Sequence, residues 1–207
     1  MYLPIQFNNS EYVRDLIREN PFASLISNDD EGFPFVTHLP LHLEERAEKL
    51  FILGHCARGN PHWKYLESRP MALVTFTGPQ AYMSPRVYPD LIRVPTWNYI
   101  AVHLKVSAKI IDTENTKDVL LKQLIADHEA EYAAQWRGLP DKYTHQMLSA
   151  IVAFELEVIE VQSKFKINQH REEAHAKMFQ SYSNGNEQER ELAKWMRKLK
   201  MKINSTT

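Results

Sequence analysis

The segment GHCARGNPHWKYL, residues 54–66, holds the densest set of side chains that could bind a ligand. A strand is predicted to end here, Arg58 and Gly59 are predicted to form a tight corner, and Asn60-Pro61 is a typical helix start. Such a corner brings together free backbone N–H groups, the positive end of a helix dipole and a guanidinium. These groups favour a phosphate site, although an ordinary capped helix with a solvent-facing arginine gives the same pattern.

A second candidate is FVTHLPLHL, residues 35–43, which is predicted to be a strand with Thr37 and His38 in its middle. Pro40 has no N–H to donate to a sheet ladder, so the strand is interrupted at that point. The backbone groups left free could pair with a flat heteroaromatic ring. Alternatively, Pro40 only protects a sheet edge against mispairing. The residues by themselves leave both alternatives open.

Metal and nucleophilic chemistry have little support in the sequence. Four histidines lie in the first third of the chain: His38, His42, His55 and His62. They form no HExxH motif, and the single cysteine, Cys56, excludes both an intrachain disulfide and a multi-cysteine zinc site. The chain also has no GxSxG elbow, no P-loop and no GxGxxG after the first strand. We therefore predict no metal site and assign no catalytic residue.

The C-terminal end of the chain is basic and amphipathic. Five positive side chains lie within nine residues: Lys194, Arg197, Lys198, Lys200 and Lys202. An apolar stripe that includes Leu192 and Trp195 runs along the same predicted helix. Such a helix could contact DNA phosphates, a membrane surface or an acidic partner, or it could pack its stripe on the domain and leave the lysines in water. No helix-turn-helix signature accompanies it.

The composition narrows the classes of protein further. With 207 residues, of which 43% are hydrophobic, the chain is long enough to bury the core of one globular domain. Lys and Arg (25) nearly balance Asp and Glu (26), so no chain-wide positive field indicates nucleic acid or anionic membrane. We see no secretion signal and no apolar run near the roughly 20 residues that span a bilayer. We predict a cytoplasmic protein without membrane association.

The elements that must position these residues are mostly strands in the first half of the chain. A helix is predicted to end at Asn20-Pro21, because the residue before a proline disfavours helix. Five apolar segments then predict strands: FASLIS, FPFVTHLPLHL, KLFILGH, MALVTFTG and WNYIAVHLKVSAKIID. A helical pattern follows, then the strand IVAFELEVIEV, then charged helices from about His170. This order predicts an α+β fold, a small β-barrel with peripheral helices.

Six segments of the chain resemble a known family. They are MYLPIQF, FPFVTHLPL, GHCARGNPHW, TGPQAYMSP, VPTWNYIAVHL and KFKINQHR, and together they span nearly the whole chain to about Arg171. On these motifs the chain is identified as a member of the PaiB family, described as FMN-binding negative transcriptional regulators. The family is built on the flavin-binding split β-barrel. The resemblance thus implies an FMN-binding split-barrel domain over residues 1–170, with a helical insertion at about 114–148, and a C-terminal helical segment with the basic tail over 171–207.

The resemblance also implies a homodimer that holds FMN in a cleft between subunits. Four strand residues would line the flavin ring by backbone contact: Val36, Thr37, His38 and Leu39. Five corner residues would surround the phosphate and the ribityl chain: His55, Ala57, Arg58, Asn60 and Pro61. A late basic segment would reach the flavin from the partner subunit: Lys164, Lys166, Gln169 and Arg171.

The chain departs from the family pattern at three places. Gly59 stands where alanine is usual, Ser84-Pro85-Arg86-Val87-Tyr88 stands where SPxWY is usual, and His170 stands where asparagine is usual. Gly59 is expected to loosen the corner without blocking it. The loss of an aromatic side chain near Val87 is expected to weaken stacking on the flavin ring or on a ligand.

The function that the resemblance implies is repression of genes for protease synthesis and sporulation, with direct contact between the basic tail and DNA left open. An alternative from another class is an FMN-dependent oxidoreductase of the flavin reductase or pyridoxamine-phosphate oxidase type. In that case the flavin supplies the redox chemistry and protein groups shape the pocket. A third alternative is a haem-handling split barrel with a histidine ligand. The sequence does not decide whether the chain is an enzyme.

Overall fold

A computed structural model describes residues 1–90 and 92–204. Seven strands in these residues form one sheet with the order β2-β1-β5-β6-β7-β4-β3. The strands are β1 Phe22–Asn28, β2 Pro34–Pro40, β3 His42–Arg46, β4 Lys49–Ala57, β5 Met71–Met83, β6 Thr96–Ile110 and β7 Ile151–Lys166. The helices are α1 Val13–Glu19, α2 His62–Ser68, α3 Glu114–His128, α4 Tyr132–Arg137, α5 Asp141–Ser149, α6 Glu172–Ser183 and α7 Glu187–Lys198.

The residues group into two compact units. The first unit contains residues 1–13 and 77–102 and the described residues from 162 onward. The second unit contains Arg14–Phe76 and His103–Val161. Strands β5, β6 and β7 each contribute residues to both units. Among the described residues, no helix combines the length and the apolar character that crossing a membrane would need.

The hairpin of β1 and β2 forms around a turn that its own side chains hold. Asp29 Oδ1 accepts hydrogen bonds from the backbone N–H groups of Glu31 and Phe33, at 2.9 and 2.8 Å. Gly32 takes a φ of 86° there, a conformation that L side chains rarely adopt. The turn sets the antiparallel register, in which Leu25 pairs with Thr37. The segment NDDEG between the first two predicted strands is therefore a tight turn.

The segment predicted as one strand, FPFVTHLPLHL, is two strands in the structure. Strand β2 ends at Pro40 and pairs with β1, whereas β3 begins at His42 and pairs with β4. Pro40 lacks an N–H for the ladder, and the Leu41 N–H donates instead to the carbonyl of Pro21, at 2.9 Å. The break sends β2 and β3 to the two ends of the strand order.

Strand β4 packs closely at one glycine. A Cβ added at Gly54 would clash with Leu41 Cδ2 and would lie 3.1 Å from Phe154 Cε2, which is tighter than most real Cβ contacts. Gly54 thus permits the buried side chains of Leu41 and Phe154 to approach the strand backbone. Gly59 differs, because a Cβ added there would meet nothing within 4 Å. The alanine that is usual at this position in the family would fit without a clash.

Helices α6 and α7 complete the core of the first unit. Asn186 and Glu189 form a capping box at the start of α7, each accepting from the backbone of the other. The apolar stripe of α7 is buried, and the Trp195 ring lies edge-on to Phe165 with centroids 5.4 Å apart. Of the alternatives that the sequence left open for the basic tail, the structure shows that its apolar stripe packs on the domain.

Candidate functional site

The corner between β4 and α2 is closed by backbone and side-chain hydrogen bonds. The Asn60 N–H donates to the carbonyl of Ala57 at 2.9 Å, which makes the turn, and the Arg58 N–H donates to the carbonyl of Ala150 at 2.8 Å. Asn60 Oδ1 accepts from the His62 N–H at 3.0 Å, as expected for an Asn-Pro helix start. Ala57, Arg58 and the neighbouring Pro61 are exposed at this corner.

A short hydrogen-bond network joins this corner to strand β2. Asn60 Nδ2 donates to Thr37 Oγ1 at 3.1 Å, and Thr37 Oγ1 lies 2.8 Å from His62 Nδ1. Because the Thr37 oxygen accepts from Asn60, its own proton is free to be donated to His62 Nδ1. The structure thus brings together two predicted site residues, one from the strand and one from the corner.

His62 is a member of this network that the sequence did not single out as a site residue. Its side chain is buried, with 1% exposure, and lies edge-on to the Phe35 ring at 5.1 Å. Burial lowers the pKa of His62 to about 4, so the ring is neutral at physiological pH. Its Nε2 atom is buried and has no hydrogen-bond partner in the part of the chain that the structure describes. The motif GNPHW contains this residue, but only the fold shows its contact with Thr37.

His55 and Cys56 follow each other at the end of β4. Burial lowers the pKa of His55, and its buried Nδ1 atom has no hydrogen-bond partner within residues 1–90 and 92–204. Burial also raises the pKa of the Cys56 thiol, which opposes its ionisation despite the positive charge of Arg58. Cys56 is therefore a buried thiol and lacks the features of a reactive nucleophile.

Arg58 is held on one side by the protein itself. Its Nε donates to the carbonyl of Ser149, and its Nη2 bonds both oxygens of Asp112, each at 2.8 Å. Lys117 Nζ lies 3.0 Å from Asp112 Oδ1. Burial acts to raise the pKa of Asp112, but the hydrogen bonds and charges of Arg58 and Lys117 outweigh it, and the pKa is lowered. Asp112 lies 54 positions from Arg58, and no local sequence signal predicts their pairing.

This arrangement leaves part of the Arg58 guanidinium free. A guanidinium has five N–H donors, and within the described residues Nη1 makes no hydrogen bond. The side chain keeps 41% of its surface exposed. The corner can therefore offer charged donors to an anion while Asp112 fixes the other side of the arginine.

Strand β2 is an edge strand with an exposed outer side. Val36 and His38 are exposed there, whereas Leu39 is buried. His38 Nδ1 lies 2.9 Å from Ser24 Oγ across the ladder, and its ring stacks on Phe22 at 6.4 Å. An edge strand has backbone groups that no neighbouring strand pairs, which suits contact with a planar ligand.

The late basic segment lies in the first unit, whereas the corner and β2 lie in the second. Lys164 Nζ donates to the carbonyl of Tyr2 at 3.1 Å, and Lys166 Nζ donates to Thr96 Oγ1 at 2.7 Å. Gln169 uses both ends of its amide on the nearby backbone, at Ile167 N–H and the Phe165 carbonyl. Arg171 is exposed. Gln169 therefore stabilises its own loop. Of the charged residues, Lys164 and Lys166 donate hydrogen bonds within the protein, whereas the Arg171 side chain is exposed.

Histidine, cysteine and carboxylate side chains are the usual metal ligands in proteins. Over residues 1–90 and 92–204, no three of them come together in a group that could hold a metal ion.

Comparison with known proteins shows which family the chain is similar to. A family model described as "Putative FMN-binding domain" matches residues 1–160. The chain is 34% identical over 176 residues to the protease synthase and sporulation protein PAI 2 of Bacillus subtilis, covering 84% of each chain. It is 30% identical over 167 residues to the uncharacterized protein YKL070W of Saccharomyces cerevisiae, covering 69% of this chain and 98% of that one.

Two solved structures share the fold at 19% sequence identity. One is the FAD and heme binding protein from Mycobacterium smegmatis, with a TM-score of 0.60 over 78% of this chain and 73% of that chain. The other is the flavocytochrome Anf3 from Azotobacter vinelandii, with a TM-score of 0.59 over 78% and 69%. These likenesses confirm the predicted fold class, a split β-barrel with peripheral helices.

The burial of His62 predicts a pH dependence of folding. Its pKa is about 4 in the folded chain against an ordinary value of 6.5, so the unfolded chain binds more protons between these values. The contribution of neutral His62 to the free energy of unfolding is complete above pH 6.5. It decreases as the pH falls towards 4, by up to about 1.4 kcal/mol per pH unit. Urea unfolding of the wild type and of His62→Gln at both ends of this window measures the difference. We expect the wild type to lose more stability than the variant, and an equal loss would contradict the assignment.

Proposed function

Because the chain belongs to the PaiB family, we propose that it is an FMN-binding negative transcriptional regulator that represses genes for protease synthesis and sporulation. The observation that carries this proposal is the likeness to PAI 2 of Bacillus subtilis, which extends over most of both chains. The match of the FMN-binding domain to residues 1–160 supports the cofactor in particular.

FMN in this proposal is held by the corner and the edge strand of the second unit. The phosphate and ribityl chain lie at the five corner residues His55, Ala57, Arg58, Asn60 and Pro61. The ring lies along the four strand residues Val36, Thr37, His38 and Leu39. Two observations support the fit: among the residues that the structure describes, Arg58 Nη1 makes no hydrogen bond, and the buried atoms His55 Nδ1 and His62 Nε2 have no partner. FMN supplies a redox-active ring when it is bound.

The functional form in this proposal is a homodimer. Three large apolar side chains on neighbouring strands of the second unit are exposed: Phe22 at 67%, Val36 at 44% and Met71 at 59%. Ile26 and Leu73 lie between them as a cross-strand pair and are only half-buried. A sheet face of this kind favours burial against a second copy. In the dimer, Lys164, Lys166, Gln169 and Arg171 act at the flavin of the partner subunit.

The basic tail is the part of the chain that we propose for contact with DNA. Its apolar stripe is occupied by packing, and Lys194 and Lys202 pair with Glu191 and Glu172. These pairs are exposed, and exposed pairs contribute little free energy, so phosphates could replace the carboxylates at small cost. Lys200 is exposed at the end of the helix.

The first prediction from this proposal concerns cofactor affinity. Arg58→Ala removes the charged donor at the corner and should weaken FMN binding about 10- to 100-fold, the range for roughly 1.5–3 kcal/mol in a hydrogen bond to a charged group. Fluorescence titration of FMN measures the affinity. Arg69→Ala is the matched control, since it removes an exposed arginine of the same unit that pairs with Asp30.

Asp112→Asn separates a phosphate-binding role of Arg58 from a structural one. It removes the carboxylate but keeps the guanidinium, so FMN affinity should be kept or increased. An affinity loss in Asp112→Asn as large as that in Arg58→Ala would indicate that the ion pair only holds the corner together. A protein that takes up no FMN at all would refute the cofactor assignment.

The second prediction distinguishes a regulator from an oxidoreductase. Duplex DNA from promoters of extracellular protease genes should be bound with an affinity that falls as salt rises, and Arg197→Gln with Lys200→Gln should flatten this dependence by about 0.9 per lost phosphate contact. Gel shifts at several salt concentrations measure the slope. No shift at micromolar protein, together with rapid reduction of bound flavin by NADH or NADPH, would favour the oxidoreductase alternative instead.

The third prediction concerns the dimer. Met71→Glu places a charge on the apolar sheet face and should convert the dimer to a monomer in sedimentation equilibrium. Val119→Glu is the matched control on helix α3, because Val119 is as exposed as Met71, at 59%. If the protein stays dimeric with both Met71→Glu and Phe22→Glu, the interface lies on another face.

A further inference from the structure

A cavity lies between helix α3 and the sheet in the second unit. Its volume is about 380 Å³, and every residue of its lining belongs to that unit. Strands β3, β4 and β7 supply one wall, and α3 with the residue that follows β6 supplies the other. None of the residues proposed to hold FMN lines this cavity, so it is a separate feature of the molecule.

The strand register places charged side chains on the sheet wall. His42, Leu53 and Glu155 pair directly with one another across β3, β4 and β7. Glu44 and Arg46 follow His42 at alternate positions of β3, so they are on the same side of the strand. One apolar residue, Leu53, is thus surrounded by polar and charged neighbours on this wall.

Helix α3 covers only the apolar part of the wall. Leu120 and Leu124 form a buried cluster with Leu53, and Ile111 packs against it. Val119 lies at the cavity with an exposed side chain. An apolar helix face cannot cover the charged residues without a desolvation cost, which accounts for the opening beside them. The cavity therefore has apolar surface next to charged groups.

The charged side chains of the cavity have more negative than positive charge. Arg46 Nη2 bonds both Glu44 Oε2, at 2.8 Å, and Glu155 Oε2, at 2.6 Å. Two carboxylates thus share one guanidinium, and one negative charge is left over. Within the described residues, the Oε1 atoms of these two carboxylates make no hydrogen bond. The neighbouring cation Lys49 pairs with Glu157 instead, at 2.6 Å.

The surplus charge is restrained and partly shielded from water. Arg46 lies over the Phe51 ring, 4.4 Å from its centroid, and this contact restrains the guanidinium that the two carboxylates share. Glu155 is half-buried, so water and salt screen its charge less than they screen a charge on the open surface. A positive group in the cavity would therefore be attracted more strongly than at an ordinary surface carboxylate.

We propose that this cavity binds a small organic amine, a protonated amino group joined to one apolar ring or a short apolar chain. The ammonium group donates to the carboxylates of Glu44 and Glu155. The apolar part contacts Leu53, Ile111 and Val119. Pockets that enclose drug-sized ligands measure roughly 300–1,000 Å³, so a cavity of about 380 Å³ favours a molecule with a single ring.

Isothermal titration calorimetry of the whole chain at low ionic strength tests the site with two probes. 2-Phenylethylamine carries the positive charge, and 2-phenylethanol has the same ring and chain without it. The amine should bind at least tenfold more tightly, because only the amine makes charge-assisted hydrogen bonds. Absent binding of the amine in the millimolar range, or equal binding of the two probes, would overturn the proposal. No FMN is added, so failure here is distinct from failure of the FMN site.

Glu155→Gln tests the carboxylates without a change of shape. It should weaken binding of the amine at least fivefold and change binding of the alcohol less than twofold, because only the charge is removed. Glu157→Gln is the matched control, since it removes a carboxylate of the same strand that pairs with Lys49 and does not line the cavity. An equal loss of amine affinity in both variants would reveal non-specific attraction and overturn the site.

Val119→Lys is a second test that does not disturb the buried wall. The Val119 side chain is exposed, so the fold should be kept, and the added positive charge should weaken binding of the amine severalfold. Ile159→Lys is its control, because it adds the same charge at a similarly exposed position of β7 outside the cavity. Unchanged amine affinity in Val119→Lys would contradict the location of the site.

Discussion

The hydrogen bonds of Thr37 with Asn60 and His62 are the interaction on which the arrangement of the second unit's site depends. They fix an exposed edge strand to the start of helix α2, so that strand and corner keep one geometry. The interaction requires a neutral His62, because a charged ring would be costly at this degree of burial. Asp112 acts similarly on the other side of the corner, where it orients Arg58 and leaves one nitrogen of the guanidinium free. The site is therefore held in place in part by Asp112, a side chain that is not among the residues proposed to bind FMN.

Local chemistry made several features predictable from the sequence. The Asn60-Pro61 start of α2 and the turn held by Asp29 depend on neighbouring residues only, and both are present. The split-barrel fold followed from the family motifs. The interruption at Pro40 was predicted, but the division of the segment into two strands with different partners was not, because the alternation of apolar residues continues across the break. The Arg58–Asp112 pair and the contact of His62 with Thr37 were missed as well, since both join segments far apart in sequence.

Net charge gives little guidance to the electrostatics of this chain. A formal charge of −1 excludes a chain-wide field, yet Glu44 and Glu155 share one arginine at the cavity beside α3. The basic tail has a high density of positive charge, yet two of its lysines already pair with carboxylates. Local pairing therefore indicates better than charge density which charged groups are available to a ligand. The apolar stripe of α7 was similarly ambiguous until its packing around Trp195 was known.

Because Cys56 is buried, the reactivity of its thiol can report local opening at the end of β4. It is the single thiol of the sequence, it lies beside the corner, and its raised pKa keeps it protonated. A thiol reagent can reach it only when the end of β4 separates from its surroundings. The rate of modification therefore measures how often this part of the barrel opens, without any introduced label. A ligand seated at the corner would slow that rate in proportion to its occupancy.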